Sequence, residues 1–325
     1  VGGIAHFTAC SIDQPGAGYT MFEQHLEEFQ PDILHINSPC TLGFGAVKYA
    51  REFNVPIVAT YHTHFPTYPR YYNLTKLEAI TWRLMRRLYN HVDRTFVPAR
   101  PIINELVEHG IHGLEYCPNG VDTKVFNPGN RSEQWRKQFG NGEKPIILFV
   151  SRLVWEKDLA VLADMYRILR TRRDDFEMVV VGDGHAREEF QEMMPGVHFL
   201  GYQTGKPLAE SFASADIFVF PSTTETFGLV TLEAMASGLA PVAAKVGGAV
   251  EIIEENKSGL FAAPLNAEDL AQKTETLLEH PVLRMAVAHN AIRRAQQYEW
   301  NRILDQLFTS YADVIATFRR KSIAA

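Results

Sequence analysis

The 325-residue sequence has few cysteines, no long hydrophobic run and no excess of positive charge. Its three cysteines, Cys10, Cys40 and Cys117, are scattered and form no Cys-x-x-Cys pair, which argues against a disulfide framework and fits a reducing compartment. No apolar stretch approaches the ~20 residues that a bilayer span requires. A formal net charge of −6 gives no global attraction to nucleic acid. We therefore expect a cytoplasmic protein without a nucleic-acid partner, whose contact with the inner face of a membrane would be peripheral.

Several motifs for phosphate, nucleophilic or metal chemistry are also absent. The sequence contains no Gly-x-x-x-x-Gly-Lys-Ser/Thr loop, no Ser-His-Asp arrangement with an elbow glycine and no Asp-x-Asp pair. The last absence matters most, because an enzyme that holds a diphosphate through a divalent cation generally needs clustered carboxylates. We therefore expect no metal and no cofactor, and a phosphate would be held by Arg, Lys or a helix N-terminus.

Short apolar strands alternate with longer helical patterns along the chain, which is typical of parallel α/β sheets built from βαβ units. The length allows two domains of ordinary size. Nine strands are predicted: Asp32 to Asn37, Pro56 to Tyr61, Arg94 to Val97, Leu114 to Cys117, Pro145 to Val150, Glu177 to Val181, Val197 to Leu200, Ile217 to Phe220 and Ala240 to Ala244.

A long interval without a predicted strand, Pro118 to Lys144, contains a Pro-Asn-Gly turn and a polar stretch that resembles a linker. We therefore predict two Rossmann-like, doubly wound domains, residues 1–142 and 143–299. Residues 300–325 have apolar positions at helical spacing, and we predict an amphipathic helix that crosses back to the first domain.

The amino-terminal segment Val1 to Pro31 offers no clear strand and one helical pattern, Met21 to Phe29. A doubly wound domain needs further strands before Asp32, so we expect the first domain to be incomplete at its amino end. Val1 to Ala5 is either the remnant of a glycine-rich phosphate-binding turn or an ordinary loop.

The segment from Pro221 to Gly238 carries the strongest functional signal. It follows a predicted strand and precedes a helical pattern, with Glu225 and Glu233 on either side of seven mostly apolar residues. Ligands bind at the carboxyl ends of parallel strands, and a helix N-terminus presents unpaired N–H groups to a phosphate. The two carboxylates suit a hydroxylated ligand, or alternatively act as a general acid and base.

Two cations, Arg152 and Lys157, follow the predicted strand Pro145 to Val150. Arginine grips a phosphate in a bidentate fork and lysine acts as a point charge, so this pair suits a diphosphate leaving group. The alternative is a solvated loop in which Glu156 pairs with either cation.

Two further strand ends carry glycines. Gly182-Asp183-Gly184 lacks the third glycine of a dinucleotide fingerprint, which favours a tight strand-to-helix turn. Gly201 and Tyr202 end the next strand, where they either line a base pocket or, for the tyrosine, pack in the fold.

His62 and His64 close the predicted strand Pro56 to Tyr61, on the same face at period two. A metal site is one interpretation, but no matching ligand cluster is visible. We favour His62 as a hydrogen-bond donor to a substrate at the carboxyl edge of the sheet.

A basic amphipathic helix is predicted over Lys76 to Arg94. Its apolar face contains Leu77, Ile80, Leu84 and Leu88, beside Arg83, Arg86, Arg87 and Arg94. Such a helix is either half-buried at the protein surface or a docking face for anionic lipid headgroups.

Taken together, these motifs resemble the retaining glycosyltransferases of the GT-B fold, specifically family 4, from about Pro31 to the end of the chain. The resemblance is carried by these motifs: Pro31 to His35, Thr60 to Thr63, Pro118 to Asp122, Arg152 with Lys157, Gly182 to Gly184, and Glu225 to Leu239.

The family resemblance implies two Rossmann-like domains that face each other across a cleft. It implies that Arg152 and Lys157 hold the donor diphosphate, that Glu225 binds the transferred sugar and that Glu233 binds the ribose. His62 would reach the donor sugar from the acceptor side. The backbone amides of Thr226, Phe227, Gly228 and Leu229 would cap the phosphate.

The stretch from Tyr61 to Tyr72 and the Trp82-Arg-Leu helix resemble the lipid-directed mannosyl-, glucosyl- and sulfoquinovosyltransferases of this family. This resemblance implies a nucleotide-diphosphate sugar as co-substrate, GDP-mannose first and a UDP-sugar second, and a lipid-linked or other glycosyl acceptor. Two alternatives remain: a transferase with a soluble acceptor, and a sugar-nucleotide-binding fragment without catalysis.

Overall fold

The computed structural model describes residues 4–7, 24–39, 41–67 and 77–324. The chain divides into two compact units, which are described separately. The first unit comprises residues 1–118 and 303–325, and the second comprises residues 119–302. Each unit contains one entirely parallel sheet with its own hydrophobic core.

The sheet of the first unit has five strands in sequence order, β1-β2-β3-β4-β5. These are β1 (Ile4–Phe7), β2 (Ile33–Ile36), β3 (Ile57–Thr60), β4 (Arg94–Val97) and β5 (Leu114–Tyr116). Four described helices accompany them: α1 (residues 24–29), α2 (Thr41–Glu52), α3 (Glu78–Tyr89) and α4 (Arg100–Glu108).

Strand β1 corrects the expectation that Val1 to Pro31 contains no strand. It pairs in parallel with β2, Ile4 opposite Ile33 and Phe7 opposite Ile36. A four-residue segment is too short for a periodic signal, and its pairing with a distant strand defines it. Residues 1–3 and 21–23, which belong to the glycine-rich and helical segments discussed above, lie outside the described residues.

The carboxyl-terminal helix α13 (Trp300–Ala324) belongs to the first unit from Ile303 onward. Its Tyr311 is fully buried, and the hydroxyl lies 2.5 Å from Nδ1 of His35 in β2. The other ring nitrogen, Nε2, lies 2.6 Å from the hydroxyl of Thr60 in β3. Asp313 forms an ion pair of 2.8 Å with Arg94 at the start of β4. The helix is therefore attached to three neighbouring strands by both its buried and its exposed faces.

The sheet of the second unit has the order β11-β10-β9-β6-β7-β8, which is the doubly wound arrangement. Its strands are β6 (Ile146–Val150), β7 (Glu177–Val181), β8 (His198–Phe199), β9 (Ile217–Phe220), β10 (Ala240–Ala244) and β11 (Leu260–Ala262). Its helices are α5 (Glu133–Arg136), α6 (Leu159–Arg172), α7 (Arg187–Met193), α8 (Gly205–Ser214), α9 (Leu229–Ala236), α10 (Ala249–Ile252), α11 (Ala267–Glu279) and α12 (Pro281–Ala295).

The second unit begins at Asn119, whereas the polar composition of Pro118 to Lys144 predicts a boundary near residue 142. The segment packs on the second unit because the buried guanidinium of Arg136 holds it there. Its Nη1 donates to the carboxylate of Asp216 and to the carbonyl of Ser214, both at 2.8 Å. A polar sequence can therefore be part of the unit when its charges find buried partners.

No helix in the described part of the chain combines the length and the hydrophobicity that a membrane span needs.

Replacement of Tyr311 by Phe tests the attachment of α13. The change leaves a nitrogen of the buried His35 ring without its hydrogen bond to the tyrosine, so we expect a loss of roughly 1 to 3 kcal/mol in the free energy of unfolding. Urea denaturation measures the loss. Tyr202→Phe is the matched control, because it removes a hydroxyl from a ring that is 76% exposed. Equal stabilities of the two variants would contradict this account.

Candidate functional site

The order of strands in the second unit reverses between β6 and β9, which are hydrogen-bonded neighbours. The loop after β6 carries Lys157 at the end of a 3-10 turn, and the loop after β9 carries Glu225. Their side chains form an ion pair, with Nζ of Lys157 2.5 Å from Oε1 of Glu225 and only 11% and 22% of the two side chains exposed. Both residues therefore lie at the strand-order reversal, which is where doubly wound sheets generally bind ligands.

Arg152 lies in the same loop as Lys157 and is exposed to solvent. The alternative of a solvated loop describes Arg152 but not Lys157, which is buried and pairs with Glu225 rather than with Glu156. The loop thus presents one guanidinium at the surface and one ammonium in the interior.

The helix α9 begins directly after Gly228, whose φ of 90° lies in the left-handed region that favours glycine. Phe227, which precedes Gly228, is buried and packs against the ring of Tyr298. Thr226 is also buried, and Leu229 is exposed at the first position of the helix. The first turn of α9 therefore directs backbone N–H groups and a partial positive charge toward the loop that carries Glu225.

Gly247 and Gly248, after β10, contact the backbone of the Glu225 loop and were not singled out from the sequence. A Cβ on Gly247 would lie 2.3 Å from the carbonyl oxygen of Glu225, and one on Gly248 would lie 2.0 Å from Cα of Phe227. The Gly248 amide donates to the Glu225 carbonyl at 3.1 Å. A glycine pair directly after a buried strand was the available signal.

Glu233 lies on α9 and is half-buried. Burial raises the pKa of its carboxyl group from the ordinary 4.5 to about 7. A desolvated carboxylate is stabilised more by a hydrogen-bond donor than a solvated one is, because water does not already satisfy its charge. The carboxylate of Glu233 is therefore suited to accept hydrogen bonds from hydroxyl groups of a ligand.

The Gly182-Asp183-Gly184 sequence forms the predicted tight turn between β7 and α7. Cβ atoms on Gly182 and Gly184 would lie 1.8 Å from the carbonyl oxygen of Ser151 and 2.3 Å from that of Leu153. These glycines therefore allow the turn to pack against the loop of Arg152.

Gly201 and Tyr202 follow β8 at the same edge of the sheet. Gly201 has a φ of 73°, and its carbonyl accepts the amide of Gly182 at 2.8 Å. The ring of Tyr202 is 76% exposed, so the interpretation of Tyr202 as packing within the fold is wrong.

In the first unit, β3 ends at Thr60, so His62 and His64 follow the strand instead of closing it on one face. His62 is exposed, whereas His64 is buried and lies 2.9 Å from the carboxylate of Glu105 in α4. Among the residues that the structure describes, no group of three His, Cys, Asp or Glu residues has the arrangement of a metal site.

Helix α3 buries a different face from the predicted one. The buried residues are Trp82, Met85, Leu88 and Tyr89. Leu77, Ile80 and Leu84 are exposed beside Arg83, Arg86 and Arg87. Lys76 and the aromatic residues of 68–75 lie outside the described part of the chain.

Two family models match the chain. The model described as glycosyl transferases group 1 matches residues 131–294, and the model described as glycosyltransferase family 4 matches residues 4–125. The first match lies within the second unit, and the second match covers the first unit up to Pro118 and continues to residue 125 in the second unit.

Curated relatives align over most of the chain. Sulfoquinovosyl transferase SQD2 of Arabidopsis thaliana is 36% identical over 309 residues, 92% of this chain and 60% of the relative. A GDP-mannose-dependent alpha-mannosyltransferase of Corynebacterium glutamicum is 35% identical, over 91% of this chain and 70% of the relative. The chain therefore spans about three fifths of the length of the plant relative.

Solved structures show the same fold. Sucrose-phosphate synthase from Thermosynechococcus elongatus has a TM-score of 0.80 with 21% identity, over 92% of this chain and 78% of the other. Anabaena HepE in complex with UDP-glucose has a TM-score of 0.78 with 22% identity, over 93% and 84%. These likenesses confirm the predicted two-domain α/β fold.

Glu233→Gln tests the burial of this carboxyl group. Because the folded-state pKa of about 7 exceeds the ordinary 4.5, the folded protein retains a proton that the unfolded chain loses between these pH values. The stability of the wild type therefore falls as pH rises through this window. We expect the variant to be more stable than the wild type at pH 8, by roughly 1 to 3 kcal/mol, and about equal at pH 4.

Urea denaturation at both pH values measures this difference. Glu192→Gln makes the same charge change at an exposed position of the second unit and serves as the control. If the stability of Glu233→Gln relative to the wild type is the same at pH 4 and at pH 8, the carboxylate is not desolvated.

Proposed function

Because the chain belongs to family 4 of the glycosyltransferases, we propose that it transfers a hexose from a nucleotide-diphosphate sugar to an acceptor at a membrane surface. We further propose that the transfer retains the anomeric configuration and needs no metal ion. The observation that carries the proposal is the Lys157–Glu225 ion pair at the strand-order reversal, in front of the N-terminus of α9.

Each part of the donor finds suitable chemistry at this edge of the sheet. Lys157 and Arg152 stabilise the diphosphate, and the backbone amides at the start of α9 bind its oxygens. Glu225 accepts hydrogen bonds from the hydroxyl groups of the transferred sugar. Glu233 accepts those of the ribose. Lys157 then lies between two negative groups, the diphosphate and Glu225, and Coulomb attraction to both holds it in place.

The reaction breaks the bond between the anomeric carbon and the leaving phosphate oxygen, and forms the bond to the acceptor oxygen on the same face. The acceptor proton passes to the leaving phosphate, so protons and charges balance without a further base. The main catalytic task is to stabilise the negative charge that develops on the diphosphate. Lys157 and Arg152 perform it. His62, at the carboxyl edge of the first unit's sheet, is proposed to donate a hydrogen bond to the substrate.

For the donor, the proposal favours GDP-mannose over UDP-sugars, since the Corynebacterium relative is named as GDP-mannose-dependent. The likeness to the solved complex with UDP-glucose supports a UDP-sugar as the second candidate.

For the acceptor, the exposed face of α3 supports a membrane surface. Ile80, Arg83, Leu84 and Arg87 recur at the spacing of one helical stripe, and Ile80 and Leu84 are 56% and 50% exposed. We call these four residues the α3 stripe. Cations interleaved with exposed apolar side chains are typical of helices that lie in the lipid interface.

A groove of about 530 Å³ between α2 and α3 extends this basic surface. Its apolar residues include Phe44 and Leu88, and its cationic residues include Arg51 and Arg87. Arg87 thus belongs to both the groove and the α3 stripe, so an anionic headgroup and the stripe would share one region of positive potential.

The transfer reaction is tested with Lys157→Met and Glu225→Gln. Each variant breaks the ion pair and removes a group that touches the donor, so we expect a loss of at least roughly a hundredfold in kcat/KM. Radiolabelled GDP-mannose or UDP-glucose with a membrane extract measures transfer. The matched control is Lys206→Met, an exposed lysine at the start of α8, which should retain wild-type activity.

The same assay run in EDTA should show unchanged transfer. Near-wild-type activity of either site variant would overturn the assignment of the ion pair, and full loss in EDTA restored by one metal ion would overturn the metal-independent mechanism. A thermal-shift screen of GDP, UDP and ADP sugars identifies the base, because a ligand that binds the folded state raises its Tm.

Membrane docking is tested by Arg83→Glu combined with Arg87→Glu. Each reversal replaces an attraction to anionic lipid by a repulsion, so we expect binding to phosphatidylglycerol vesicles to weaken by at least roughly tenfold. Sedimentation with vesicles measures binding. Arg293→Glu with Arg302→Glu is the control, because it changes the net charge equally at exposed positions outside the α3 stripe.

Equal binding by the two double variants would show that docking depends on net charge and not on the α3 stripe. A wild-type protein that transfers sugar efficiently to a dissolved acceptor and does not bind the vesicles would favour the soluble-acceptor alternative.

A further inference from the structure

The two loops that carry Lys157 and Glu225 are joined by further bonds on either side of the ion pair. The carboxylate Oδ2 of Asp158 accepts the backbone amide and the hydroxyl of Thr223, both at 2.8 Å. The hydroxyl of Thr224 donates to the carbonyl of Glu156 at 2.9 Å. Both neighbours of Lys157 are therefore bonded to the two residues that precede Glu225. We call these three hydrogen bonds the loop bridge.

The backbone of Asp158 adopts a conformation that is unfavourable for a side chain. Its φ of 54° and ψ of 41° lie in the left-handed region, which costs a non-glycine residue roughly 1 to 2 kcal/mol. Aspartate and asparagine tolerate this region better than other side chains. The turn places the Asp158 side chain on the side of the β9 loop.

Asp158 also stands at the N-cap of α6 but does not cap it. An aspartate in this position ordinarily accepts an amide of the first helical turn, and here no such bond is formed. Instead the buried carboxylate accepts two hydrogen bonds from Thr223 on the other loop. Asp158 therefore has a strained backbone and forgoes the capping bond that its side chain could make. Its hydrogen bonds to Thr223, across the strand-order reversal, offset this cost.

We infer that Asp158 is a positioning residue for sugar transfer, which fixes the Lys157–Glu225 pair in its reactive geometry through the loop bridge. This inference rests on the proposed function. Without the bridge, two long side chains on separate loops would lose conformational freedom each time they met. With it, the ammonium group is already placed where the diphosphate charge develops, and a displacement of about 1 Å would be costly for catalysis.

Three substitutions separate this role from general stability. Asp158→Gly tolerates the left-handed backbone but removes the acceptor. Asp158→Asn keeps an acceptor oxygen and tolerates the same backbone. Asn256→Gly is the matched control, because Asn256 has a φ of 61° in an exposed turn of the second unit.

In the transfer assay, Asp158→Gly should lower kcat/KM for the donor by roughly ten- to a hundredfold, while Asp158→Asn restores most of the activity and Asn256→Gly has no effect. In a Lys157→Met background, Asp158→Gly should have almost no further effect, since it acts through Lys157. Additive losses, or an Asp158→Asn variant as impaired as Asp158→Gly, would overturn the inference.

A measurement without substrate separates this inference from the proposed function. Acetylation of the Lys157 amine, followed by mass spectrometry with Lys206 as the internal reference, should be several-fold faster in Asp158→Gly than in the wild type, because the ammonium is no longer held. Unchanged labelling of Lys157 would overturn the positioning role even in an active enzyme. If the wild type transfers no sugar but Lys157 is still labelled faster in Asp158→Gly than in the wild type, the proposed function alone would be overturned.

Discussion

The meeting of two loops at the strand-order reversal is the constraint on which the site depends. Crossover connections in a doubly wound sheet leave on opposite sides of the reversal, so the carboxyl ends of β6 and β9 are not covered by their own helices. Residues 68 positions apart in the sequence, Lys157 and Glu225, are brought to 2.5 Å there. No local interaction could produce this pair. The parallel pairing of β6 with β9 does so, and it also places the N-terminus of α9 beside it.

The same constraint explains why glycines surround the site. A sheet edge where several loops converge has room for backbone but not for every side chain, and Gly182, Gly184, Gly247 and Gly248 each lie where a Cβ would overlap a neighbouring loop. Close backbone packing leaves the ion pair largely buried. It also leaves N–H groups as the available donors, which suits phosphate oxygens. These glycines thus affect the electrostatics of the site because they let the loops approach closely, not because they make the backbone flexible.

Local patterns predicted the nine strands to within a residue at each end, because a short buried strand between turn residues has a clear sequence signal. They also placed Lys157 and Glu225 at strand ends. They could not predict β1, β11, the boundary at Asn119 or the loop bridge, since each depends on contacts between distant segments. Helix α3 shows the limit most clearly. It carries two overlapping apolar stripes, and the packing of Trp82 on the first unit decides which one is buried.

The choice of buried face on α3 also bears on how a protein with a net charge of −6 can approach an anionic surface. At physiological salt the Debye length is about 8 Å, so acidic residues elsewhere are screened while arginines in contact with headgroups are not. In the proposed docking, attraction would come from the α3 stripe and the adjoining groove, and it would orient the first unit on the surface. Arginines alone would give a weak, salt-sensitive contact. The exposed Ile80 and Leu84 would add apolar burial that salt does not screen, so attachment through this stripe would combine orientation with residence time.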